Sequence, residues 1–129
     1  EHTDARHAAL VAVEKGGPSG EKPLTVLGFA ALSPWSTRPG YARTAENSVY
    51  VAPPARDRGL GRALMLDLMG RARAAGVCVV IARVTEQNPA SVRFHEALGF
   101  STIGVQRRAG EKLGRLIDVR IMDMHLDEP

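Results

Sequence analysis

The stretch from Thr44 to Val84 leaves few folds open. Thr44 to Ala52 has the composition of a strand, with Val49 and Val51 on one face and Glu46, Ser48 and Tyr50 on the other. Pro53-Pro54 stops it, because proline has no N–H to give to a ladder. From Leu60 to Ala75, apolar residues recur at Leu60, Leu64, Leu68, Ala72 and Ala75, the spacing of one helix face. Gly76 suits the end of that helix, and Gly70 inside it is a weak point. Val77 to Val84 is a short, almost continuous apolar run, as expected of a strand buried on both faces. Strand, helix and buried strand make a crossover, so the two strands should be parallel. The fold class is therefore α/β, with a helix packed on a sheet.

The flanking segments extend that unit. Ala8 to Val13 and Leu24 to Leu32 read as strands joined by the turn-rich loop Gly16 to Pro23, a hairpin with a long connection. Ser33 to Arg43 holds Pro34, Trp35, Arg38, Pro39, Gly40 and Tyr41 and should be irregular, a loop able to carry a binding surface. Asn88-Pro89 opens a second, shorter helix that runs to Leu98 and closes at Gly99; Asn favours the cap and Pro the first helical position. Phe100 to Val105 and Leu116 to Leu126 are the last strands, with Gly110 to Arg115 turning between them. The 129 residues suffice for one domain, residues 1–129.

Several function classes fall away. No apolar run reaches the roughly 20 residues of a membrane span. Residues Glu1 to Arg6 are polar and mixed in charge, unlike a signal peptide, so a cytoplasmic location is expected, with no membrane partner. The chain does not begin with Met, and a missing upstream segment is expected. Cys78 is the single cysteine and lies in an apolar run, so it should be a small buried residue. Net charge is only +3, from 17 Lys and Arg against 14 Asp and Glu, without the aromatic platforms of a nucleic-acid surface. His2, His7, His95 and His125 show no metal-ligand spacing, so no metal is expected.

The chemistry concentrates where the first crossover strand ends. Arg56-Asp57-Arg58-Gly59-Leu60-Gly61-Arg62 is a basic, glycine-bearing turn running into a helix. The first turn of a helix has N–H groups without intrahelical partners and the positive end of the dipole. Glycine lets an anion approach that backbone, and guanidinium groups add charged hydrogen bonds. A pyrophosphate is the expected ligand. The nucleotide P-loop is absent, and position 64 is Leu where the dinucleotide fingerprint needs glycine.

The turn matches Arg/Gln-x-x-Gly-x-Gly/Ala, and downstream Asn88-Pro89-Ala90-Ser91 leads to Leu98-Gly99-Phe100. With these two motifs in order around a buried strand, the chain resembles the GCN5-related N-acetyltransferase (GNAT) superfamily. Thr44-Ala45-Glu46-Asn47-Ser48-Val49-Tyr50-Val51, His95-Glu96-Ala97-Leu98-Gly99-Phe100 and Arg108 to Gly114 with Asp118 resemble its phosphinothricin acetyltransferase group, whose acceptors include methionine sulfone and sulfoximine. The resemblance implies a mixed, twisted sheet with flanking helices, splayed where the family's fourth strand parts from its fifth. It implies acetyl-CoA as co-substrate, with Val49 and Val51 pairing with the pantetheine arm. Arg56, Arg58, Gly59, Leu60, Gly61 and Arg62 would hold the pyrophosphate, and Asn88 and Ser91 would touch the lower cofactor.

The same resemblance makes Glu46 the general base for the acceptor amine. Such an amine is mostly protonated at neutral pH, so a base is required; the plain alternative is a strand-end carboxylate. His95 stands where many members carry a tyrosine that protonates the leaving thiolate; its alternative is a helix histidine packed between Val92 and Leu98. Arg38 and Tyr41 fall in the acceptor loop, where Arg38 could take a carboxylate with two hydrogen bonds or lie solvated. The group's opening strand and two helices have no counterpart here, the hairpin loop is long, and Leu116 replaces an aromatic. The expected acceptor is a small amino-acid-like amine. A protein N-terminus, a lysine or another amine, or a non-catalytic acyl-CoA-binding role, remain as alternatives. The resemblance also implies a homodimer, with the last hairpin near the partner's site.

Overall fold

The computed structural model describes residues 6–14 and 25–127. Six strands and two helices follow in the order β1 (Ala8–Glu14), β2 (Thr25–Pro34), β3 (Thr44–Val51), α1 (Leu60–Ala74), β4 (Val79–Thr85), α2 (Pro89–Leu98), β5 (Ser101–Lys112) and β6 (Arg115–His125). They form one sheet ordered β1-β2-β3-β4-β6-β5. Only the β3–β4 pair is parallel, as the crossover requires. The loop Gly16 to Pro23 lies outside the described residues.

Helix α1 packs on one face of the sheet. Its Leu64, Met65, Leu68, Met69 and Ala72 meet Ala30, Leu32, Ala45, Val80, Ala82 and Val84, and Phe94 and Leu98 of α2 close on the same core. The opposite face carries Val11, Phe29 and Tyr50, all exposed, with the Phe29 and Tyr50 rings 5.9 Å apart. Strand β4 is therefore less buried than its composition suggests. Val80, Ala82 and Val84 point into the core and Ile81 is buried, but Arg83 is exposed.

Several boundaries differ from the sequence reading for local reasons. Ala75 is exposed, because the helix unwinds there: Gly76 has φ +93° and Val77 N–H reaches back to the Ala72 carbonyl. Strand β4 starts at Val79, so Cys78 lies in the connection and is only partly buried. The final turn is not the segment Gly110 to Arg115 but Leu113-Gly114, both at positive φ, which twists to match a two-residue hairpin. Strand β5 thus runs through Gly110 and slips register between Gln106 and Gly110. There Arg108 adopts φ 58° and its N–H donates to Asp118 Oδ1 at 2.8 Å.

Gly28 sets the approach of β2 to β3. It sits opposite Val51, and a Cβ there would lie 2.6 Å from the Tyr50 carbonyl oxygen.

Candidate active site

The parallel ladder between β3 and β4 has three rungs, Thr44↔Val79, Ala45↔Val80 and Glu46↔Ile81. Beyond Glu46 the strands part, and β3 continues bound to β2 alone up to Val51. The direction of its amides follows from neighbouring bonds. Ala52 N–H donates to Leu27 at 2.7 Å and Trp35 N–H to Thr44 at 3.2 Å. Backbone groups alternate sides along a strand, so Thr44, Glu46, Ser48 and Tyr50 face β2 and the main chains of Val49 and Val51 face the gap. The Val51 carbonyl already accepts Arg56 Nε–H at 3.0 Å, which anchors that guanidinium at the strand end.

The gap opens into a cleft of ≈ 560 Å³. Nine of the residues named from sequence line it: Val49, Val51, Arg56, Gly59, Leu60, Gly61, Arg62, Asn88 and Ser91. Arg58, expected beside them, is exposed and does not line it.

The turn into α1 uses left-handed backbone at Asp57 (φ 64°) and Gly59 (φ 75°). Gly59 is the N-cap and offers no side-chain oxygen, so the first N–H groups of α1 are left for a ligand. Arg56, Arg62 and one aspartate, Asp57, line the cleft beside them. The two glycines act differently. A Cβ on Gly59 would meet nothing within 4 Å, so its role is its backbone angle. A Cβ on Gly61 would lie 3.3 Å from both Phe94 and Val51, so this glycine lets α1, α2 and β3 converge on the cleft. Phe94 was missed in the sequence because a helix aromatic reads as ordinary core; the small residue facing it was the available signal.

Asn88 caps α2, its Oδ1 accepting Ser91 N–H at 3.1 Å, and it lines the cleft. His95 lies elsewhere. It is 3% exposed and does not line the cleft. Its Nδ1 is 2.8 Å from the Ser91 carbonyl, which can only accept, so Nδ1 carries the proton. Nε2 then accepts from Asn47 Nδ2 at 3.1 Å. Desolvation lowers the His95 pKa, against a smaller opposing effect of the Ser91 hydrogen bond. A neutral ring with both nitrogens engaged has no proton aimed at the cleft, so the acid role expected of His95 finds no support in this geometry. Asn47 is buried, and its Oδ1 has no partner among the described residues.

Glu46 stands at the last rung of the parallel ladder, where the strands part. Its two carboxylate oxygens accept Nε–H and Nη2–H of Arg83 at 2.6 and 2.9 Å. The Arg83 guanidinium lies 5.6 Å from the Trp35 ring centroid. Hydrogen bonding to Glu46 raises the Arg83 pKa, so this arginine stays charged. Sequence reasoning passed over Arg83, because an apolar run conceals one charged residue. Arg38 and Tyr41 are exposed in the preceding loop; Arg38 N–H bonds Ser36 Oγ at 3.2 Å, and Tyr41 N–H bonds the Arg38 carbonyl at 2.9 Å.

A strand splayed from its parallel neighbour, ending beside an uncapped helix start with Arg56 and Arg62 on the same cleft, is an arrangement suited to a long ligand with a phosphate head. Comparison with known proteins agrees with that class. Residues 2–100 match the Acetyltransferase (GNAT) family. The chain is 40% identical over 103 residues to the L-methionine sulfoximine/L-methionine sulfone acetyltransferase of Salmonella typhimurium, covering 80% of this chain and 60% of that protein. It is 36% identical over 126 residues to an L-amino acid N-acyltransferase of Escherichia coli, covering 98% and 69%. The structure of yncA from Salmonella typhimurium with its cofactor acetyl-CoA superposes with a TM-score of 0.85 at 36% identity, covering 97% of this chain and 68% of that one.

The chain belongs to the GNAT acetyltransferase family. It spans about 60% of the length of the methionine sulfoximine acetyltransferase it matches.

Proposed function

We propose that this chain transfers the acetyl group of acetyl-CoA to the amino group of a small amino-acid-like acceptor, of the methionine sulfone, methionine sulfoximine or phosphinothricin type. The observation that carries this reading is that the uncapped start of α1 and the strand end Val49 to Val51 line one cleft, while Glu46, which does not line it, stands at the last rung before β3 and β4 part. The residues present fit the co-substrate. Gly59, Leu60, Gly61 and Arg62, with Arg56, would hold the pyrophosphate; Arg58 could add only long-range charge. Val49 and Val51 would pair with the pantetheine amides, and Asn88 and Ser91 would touch the arm from α2.

Acetyl-CoA, when bound, would supply an acetyl thioester: as the acceptor nitrogen forms the C–N bond the C–S bond breaks, and coenzyme A leaves as a thiolate that takes its proton from water. Glu46 would take the proton from the acceptor ammonium, directly or through water. Arg38 and Tyr41 would border the acceptor. His95 would act as a positioning residue, fixing Asn47 beside the parting strands. The relatives named above support an amino-acid acceptor. A homodimer through the β5–β6 hairpin belongs to the same proposal; the exposed Ile103, Val105, Leu113 and Leu116 support it.

A thiol-release assay with acetyl-CoA and a panel of amino-acid analogues and peptides tests the reading. Turnover with the amino-acid analogues is expected, and preference for peptides would move the acceptor to a protein N-terminus. In Glu46→Gln, turnover should fall at least ~100-fold, the lower range for losing a general base, with acetyl-CoA binding intact by calorimetry. Unchanged turnover removes Glu46 as the base. A wild-type chain that gives no heat with acetyl-CoA defeats the proposal.

A further inference from the structure

Arg83 has more donors than its pairing with Glu46 uses. It lies on β4 two residues beyond Ile81, which faces Glu46 across the last rung, so alternation places the two side chains on one face. A guanidinium is planar and carries five N–H donors. Arg83 spends the Nε–Nη2 edge on Glu46, and among the described residues these are its hydrogen bonds. Its side chain remains 52% exposed, and contact with Trp35 steadies the plane. The remaining donors, on Nη1 and Nη2, are left without a hydrogen bond among the described residues, next to a carboxylate.

The pair presents a negative and a positive group side by side, 2.6 to 2.9 Å apart, at the point where β3 and β4 separate. An α-amino acid is the complementary object, with an ammonium and a carboxylate joined through one carbon. Laid head to tail against the pair, its ammonium meets Glu46 and its carboxylate meets the remaining donors of Arg83. Each charge then neighbours two of opposite sign. We propose that Arg83 is the specificity-determining residue for the acceptor carboxylate, and that the Glu46–Arg83 pair selects zwitterions over simple amines. This rests on the amino-acid reading above and assigns the carboxylate to β4 rather than to Arg38.

The test compares methionine sulfone with its methyl ester in wild type, Arg83→Gln, Arg83→Lys and Arg38→Gln, each checked for acetyl-CoA binding by calorimetry. Comparing each variant with wild type on the same acceptor cancels the intrinsic reactivity of the two amines. In Arg83→Gln, KM for the acid should rise roughly 10- to 100-fold, the range for losing a charged hydrogen-bonded contact, while KM for the ester changes less than about threefold on that scale; a fall in kcat from the loss of the Glu46 hydrogen bonds is shared by both acceptors and does not enter the comparison. Arg83→Lys should recover part of the loss on the acid alone. Equal rises in KM for acid and ester would mean that Arg83 merely holds Glu46 in place, and that overturns the assignment. So would an unchanged KM, or a collapse of acid selectivity in Arg38→Gln alone. If the wild type turns over neither compound, the amino-acid reading fails first and takes the assignment with it.

Discussion

One substitution made at two glycines should have opposite effects. Gly28→Ala places a methyl 2.6 Å from the Tyr50 carbonyl oxygen and 3.2 Å from Val51 Cα. Both are backbone atoms and cannot rotate away. A comfortable carbon–oxygen contact is about 0.7 Å longer, so β3 must move bodily, and overpacking of this kind costs about 1–3 kcal/mol. The smaller entropy of the unfolded alanine chain returns about 0.4–1 kcal/mol. The net loss is roughly 0–2.6 kcal/mol, centred near 1.3, from a total of about 5–15. Gly70→Ala is the counterpart. Gly70 is exposed within α1, and its Cβ would meet nothing within 4 Å. There the alanine should stabilise by roughly 0.5–1 kcal/mol. Urea unfolding of wild type and both variants, fitted with a common slope, reads the two signs directly. Because β3 also forms one wall of the cleft, Gly28→Ala should weaken acetyl-CoA binding in calorimetry, whereas Gly70→Ala should not. Two shifts of the same sign would refute the claim that β2–β3 contact, rather than glycine flexibility, decides the outcome at Gly28.

Three further outcomes are expected. Asn88→Ala removes the cap on Ser91 N–H and should cost about 1 kcal/mol in urea unfolding, while Asn88→Asp keeps most of it. His95 has a lowered pKa in the folded chain, so its contribution is fully present above the unfolded value near 6.5 and is lost as pH falls from there through the folded value. The slope from this one group is at most about 1.4 kcal/mol per pH unit, and His95→Gln should flatten that part of the stability–pH curve. Gly61→Ala sets a methyl 3.3 Å from Phe94 and Val51, which must yield by a few tenths of an ångström; acetyl-CoA affinity should drop more than stability, as calorimetry beside thermal melting would show.

The crossover was legible because its signals are local. Proline at the end of β3, the four-residue spacing along α1 and the glycine after it each act within a few residues. The cleft was legible for the same reason: uncapped amides and arginines lie along one short segment. What the sequence concealed depends on partners distant in the chain. Arg83 gains meaning only once β4 is laid beside β3 and Glu46 comes within hydrogen-bond reach. His95 matched a family position, but its fate is set by Asn47, 48 residues away, and by burial that no spacing reveals. Gly61 suggested access for an anion, whereas its missing side chain also makes room for Phe94. The final turn was misplaced because Gly110 resembles a turn residue; it sits in β5 with Ile117 and Val119 pressed close, 3.1 and 3.2 Å from where its Cβ would stand.

Strand β5 forms one border of the sheet, and its residues are exposed along almost its whole length. A bare border of that length would invite a foreign strand to add on, the first step toward aggregation. The kink at Arg108 interrupts it: three consecutive residues, Arg107 to Ala109, fall out of register with β6, and two of them are arginines. An intruding strand could follow the border for only a few residues before meeting misdirected amides and positive charge. Any subunit that docks here must therefore do so through side chains such as Ile103 and Val105, and not by prolonging the sheet.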